Sequence, residues 1–102
     1  MIYHVQAEYH QAISLYLEAI LIYNEYNVKS DLATVLSNLG VAYKGISDYE
    51  NSFLSFQKAI TIFEELNMNH HLAQCLGNIG VNYRDLHDYE RSIDRKSTRL
   101  NS

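Results

Sequence analysis

At 102 residues, with 47% hydrophobic and 20% charged side chains, the chain is long enough for one domain of ordinary globular composition. Its net charge of −4 argues against nucleic acid as a general partner, because neutralising phosphates takes clustered Lys and Arg. Cys75 stands alone and has no internal disulfide partner, no run approaches the roughly 18 apolar residues of a membrane span, and Met1-Ile2-Tyr3-His4 opens no signal peptide, so the cytoplasm is the expected compartment and no membrane contact is expected.

The first predicted element is a helix from Glu8 to Tyr26, with Tyr at 9, 16, 23 and 26. Asn27 follows it, and Asn tolerates the left-handed conformation that ends a helix. A second helix runs from Asp31 to Lys44, marked by Leu32, Val35, Leu36, Leu39 and Tyr43 at steps of three and four, with Ser30 or Asp31 as its cap. Gly45 and Ile46 make a short turn, so the next helix, Asp48 to Leu66, is an antiparallel neighbour. There Tyr49, Phe53, Phe56, Ala59, Ile60 and Phe63 keep the helical steps, and Ser47 with Glu50 has the spacing of a capping box. Asn67 ends this helix as Asn27 ends the first. His71 to Arg84 forms the fourth, and Asp88 onward begins a fifth.

These elements are copies of one another. Leu32, Ala33, Leu36, Asn38, Gly40, Val41, Tyr43, Asp48, Tyr49, Glu50 and Ser52 recur forty residues later, from Leu72 to Ser92, which is 11 identities in the 22 positions from 32 to 53. Backwards, Tyr3, Tyr9, Ala19, Ile20, Ile22, Glu25 and Asn27 match Tyr43, Tyr49, Ala59, Ile60, Ile62, Glu65 and Asn67. A fixed period in this range marks a solenoid, in which each unit buries its apolar face only against its neighbours. The expected architecture is all-α, about two and a half repeats: a partial copy over 1–28, a whole one over 29–68 and a partial one over 69–93. Both ends look cut, and their uncapped faces make self-association an expectation.

Residues 94–102 fall out of register. Lys96 stands where the pattern has Tyr16 and Phe56, and Arg99 where it has Ala19 and Ala59. Burying unpaired charge costs several kcal/mol or more, so divergence within a packed repeat is a poor explanation. The string also resembles the translation of a sequencing-library adapter, and is read as a non-native tail. Its net charge is +2, so the repeat portion alone carries −6.

Leu36-Ser37-Asn38-Leu39-Gly40-Val41-Ala42-Tyr43 followed by Asp48-Tyr49-Glu50, Phe56 and Ala59 resembles a tetratricopeptide repeat. Leu76, Ile79-Gly80, Tyr83 and Asp88-Tyr89-Glu90 match the pattern in the next copy, and Tyr9, Ala12, Tyr16 and Ala19 in the previous one. The departures are Ser52 and Ser92 at a small position, Ser47 and His87 where the turn usually has Gly, and a period of forty instead of about 34. Gly40 and Gly80 fit sites where a second-helix side chain packs against first-helix backbone. The resemblance implies a right-handed superhelix of antiparallel helix pairs whose first helices line a concave groove.

On that resemblance the chain is a non-catalytic interaction module binding a protein or peptide, with no cofactor. Asn38 and Asn78 then sit where the ligand's main chain is held, since an amide offers both donor and acceptor, and Thr34, Gln74, Val41 and Val81 share their face. Lys44 and Arg84, equivalent to each other and to His4, form a basic ladder suited to an acidic segment or a terminal carboxylate, although cations at helix C-termini are also stabilising in themselves. A second implication is the sensing or dimerising region of a larger bacterial signalling enzyme, a histidine kinase or nucleotide cyclase. His71 and Cys75 are four apart, but two ligands do not close a metal site, and Cys75 reads as a buried thiol.

Overall fold

The computed structural model describes the backbone of residues 2–101 and the side chains of residues 6–88, 90 and 91. It contains four helices: α1 (Ile2–Tyr26), α2 (Lys29–Gly45), α3 (Tyr49–Glu65) and α4 (Asn69–Asn101). Each packs against the next in sequence, and α2 also meets α4. The result is an elongated body of 56 × 29 × 20 Å, the shape that nearest-neighbour stacking produces.

All three connections use one device. Asn27, Ser47 and Asn67 take left-handed φ values of 57°, 61° and 57°. The next amide then donates back five residues, Val28 to the Tyr23 carbonyl at 3.0 Å, Asp48 to Tyr43 at 2.9 Å and Met68 to Phe63 at 2.9 Å. This is the paired closure that satisfies the last carbonyls of a helix. Asn was expected at 27 and 67. At 47 the requirement falls on Ser, so the Ser47 capping box does not form. Asp48 caps α3 instead: its Oδ1 accepts from the Asn51 amide at 3.3 Å and its Oδ2 from Asn51 Nδ2 at 2.7 Å. Nor do Ser30 or Asp31 cap α2, which starts at Lys29 behind Val28 with no side-chain cap, because the chain leaves one closure directly into the next helix.

Two expected breaks are absent. α1 runs straight through 5–8, and α4 through 85–88. The one hairpin that forms, between α2 and α3, has Gly45, where a β-carbon would lie 2.5 Å from the Tyr9 ring, Ser47 in the left-handed region, and Phe56, Ala59 and Phe63 returning into the core. At 85–88 Asp85 replaces Gly45 and His87 replaces Ser47, and the register positions of Phe56 and Ala59 hold Lys96 and Arg99, so no apolar stripe draws the chain back. At 5–8 Ala7, the strongest type of helix former, stands in place of Ser47. The side chains of the segment read as a non-native tail lie outside the described residues.

The core has two parts. Ala33, Leu36, Phe56, Ala59, Phe63 and Cys75 join α2, α3 and α4, while Ile13, Leu39 and Ala42 join α1 to α2, walled by Tyr9, Tyr16 and Tyr43. Gly40 behaves as expected, since a β-carbon there would lie 2.8 Å from the Phe56 ring. Gly80 does not: nothing lies within 4 Å of its β-carbon position, because no helix returns over α4. The serine at the small position has a purpose of its own. Ser52 Oγ donates to the Gly40 carbonyl at 2.7 Å and accepts from Asn82 Nδ2 at 2.6 Å, tying α2, α3 and α4 together through buried polar groups.

Candidate functional site

Helices α2 and α4 lie beside one another in the same register, so equivalent residues face a common groove. Ser37, Asn38 and Val41 form one wall and Gln74, Gly77, Asn78 and Val81 the other, around a volume of about 600 Å³. Five of the eight residues expected to bind thus come together: Asn38, Asn78, Gln74, Val41 and Val81. Neither the Asn38 nor the Asn78 amide has a hydrogen-bond partner among the described residues, leaving both free to meet a ligand. Gln74 Nε2 lies 3.5 Å from the His70 ring, one turn away on its own helix. Val41 is exposed and Val81 half-buried, giving apolar flanks to the polar pair.

The other three are not among the residues that line this hollow. Thr34 is exposed one helical turn before Asn38, and its Oγ1 donates to the Ser30 carbonyl at 3.0 Å within its own helix. Lys44 Nζ lies 3.5 Å from Asp85 Oδ2, so its charge is shared with α4. Arg84 is exposed and has no such partner among the described residues. The ladder is therefore uneven, one rung neutralised by the carboxylate that replaces Gly45 in the next copy. Residues at 37 and 77 were not singled out from the sequence, although Gly77, with nothing within 4 Å of a β-carbon position, widens the groove floor. The signal was available in the register: 37 and 77 precede the paired asparagines.

Other singled-out residues are structural. Cys75 is buried with its Sγ 3.5 Å from Ser37 Oγ, and His71 lies with its ring centroid 5.1 Å from that of Phe63. No group of three or more potential metal ligands occurs among the described residues. Asn82 Oδ1 is buried without a partner, on the far side of the contact to Ser52.

Four helices packed in sequence, with α2 and α4 in a common forty-residue register, define a helical-repeat protein. A family model for the tetratricopeptide repeat matches residues 1–65 and again 31–97, and the chain belongs to that family. Repeats of this family are typically non-catalytic modules that bind other proteins. Neither the curated proteins nor the solved structures return a significant match. No helix among the described residues is long and apolar enough to cross a membrane.

Proposed function

We propose that the groove between α2 and α4 holds an extended peptide segment of a partner protein, with Asn38 and Asn78 bonding its main chain and Val41 and Val81 packing against its side chains. The observation that carries this reading is the pair of equivalent amides on facing walls, both without a partner among the described residues. An amide that served only packing would be expected to bond a neighbouring helix. A side-chain amide can donate and accept at once, which matches the alternating groups of an extended backbone. Arg84, exposed one helical turn beyond Val81, favours a peptide with a carboxylate near that end.

The test is selection of binders from a random peptide library, followed by affinity measurements on Asn38→Ala and Asn78→Ala. Each variant should weaken binding by roughly two- to tenfold, the worth of one net hydrogen bond, with an unchanged circular dichroism spectrum. Unaltered affinity in both would remove the asparagines from the site.

A further inference from the structure

α1 and α3 each lie on α2, yet over the described residues their backbones do not come together. Between them is a hollow of about 330 Å³, at the small end of the roughly 300–1,000 Å³ range of ligand sites. Ile20, Leu32, Leu36 and Ile62, buried or half-buried, form its floor, and Asn24, Lys58 and Thr61, all exposed, form its rim. The forty-residue register separates what this hollow inherits from what is particular to it. All four floor residues are identical to their equivalents, Ile60, Leu72, Leu76 and Ile22, as the packing of one repeat on the next demands. All three rim residues differ. Asn24 stands where the next copy has Glu64, and Lys58 and Thr61 stand where the previous copy has Glu18 and Leu21. Two carboxylates are lost and one ammonium is gained, in a chain that is acidic overall. Packing does not account for the change, since substitutions at exposed positions bear little on stability.

We propose that this hollow binds a small amphipathic carboxylate with a medium-length aliphatic tail. The tail lies on Ile20, Leu32, Leu36 and Ile62, and the carboxylate meets Lys58 and Asn24. No carboxylate of α1, α2 or α3 lines the hollow to oppose the charge. Glu65, one turn beyond Thr61, is held at 3.4 Å by Lys29, whereas the Lys58 and Asn24 side chains have no partner among the described residues. Thr61 Oγ1 donates to the Gln57 carbonyl at 3.1 Å, so the rim donors left for an anion are Lys58 Nζ and Asn24 Nδ2. The aliphatic stem of Lys58 also lengthens the apolar wall toward its charged end. A few convergent polar groups above an apolar floor are what fix the orientation of a small ligand. None of these residues is shared with the α2–α4 groove, so peptide binding there can fail without bearing on this site.

The test is a titration of the isotope-labelled whole chain with octanoate at neutral pH, where its carboxyl is ionised. The Asn24 side-chain amide and the methyl groups of the four floor residues should shift together and saturate with a Kd of roughly 0.1–1 mM, while Asn38 and Asn78 stay still. Octan-1-ol, the same tail without the charge, should bind at least about fivefold more weakly, and acetate, the head without the tail, should show no saturation. Lys58→Glu and Asn24→Glu restore the residues of the other copies at exposed positions, and each should weaken octanoate at least about tenfold with an unchanged circular dichroism spectrum. Lys58→Gln, which removes the charge alone, replaces either variant that does not fold. Shifts that do not saturate, equal affinity for octan-1-ol and octanoate, or unaltered octanoate affinity in the variants overturns the proposal.

Discussion

Gly40 and Gly80 are the same residue in the same register with opposite surroundings. At Gly40 a β-carbon would press on a fully buried Phe56 ring that has no room to move. Gly40→Ala should therefore cost about 1–3 kcal/mol, the usual penalty for overpacking a core. Gly80→Ala meets open space in mid-helix and should raise stability by up to about 1 kcal/mol. Denaturant unfolding of the two variants side by side measures both. The Ser52 bridge gives a second residue-scale expectation. Ser52→Ala strands the buried Asn82 Nδ2 and should cost about 1–3 kcal/mol, whereas adding Asn82→Ala removes that stranded amide together with its unpartnered Oδ1, so the double variant should be more stable than the sum of the two single changes implies. A double-mutant cycle reads the coupling directly.

Helix existence was legible from apolar spacing, and the inter-repeat turns from Asn27 and Asn67, because each depends on residues within a few positions. The hairpin turns were not equally legible. A turn between paired helices forms only if the second helix has an apolar face to bring back, and that condition lies ten or more residues away, at Phe56 and Ala59 for the turn that forms and at Lys96 and Arg99 for the one that does not. The groove was legible because facing walls inherit the register. The capture of Lys44 by Asp85 was not legible, because it depends on a departure from the repeat, Asp85 in place of Gly45. The element-scale consequence concerns Ser47 and His87. Ser47→Gly relieves a left-handed residue and should stabilise by up to about 1 kcal/mol, while His87→Gly weakens a continuous helix by a similar amount. Thermal unfolding monitored by circular dichroism distinguishes the two signs; equal stabilisation would mean that 85–88 is a turn after all.

For the molecule as a whole, stacking in register aligns α2 with α4 so that Asn38 and Asn78 share a groove. A second, more apolar hollow of about 330 Å³, lined by Ile20, Leu32, Leu36 and Ile62 with Lys58 and lying among α1, α2 and α3, supplies an internal control for where a peptide goes. The most direct measurement is a titration of isotope-labelled protein with a library-selected peptide, following the side-chain amide signals of all asparagines and glutamines. The Asn38 and Asn78 signals should move together and saturate at one peptide concentration, with Asn24 beside the second hollow unmoved. Movement of Asn24 with Asn38 and Asn78 still would contradict the assignment of the α2–α4 groove as the binding site.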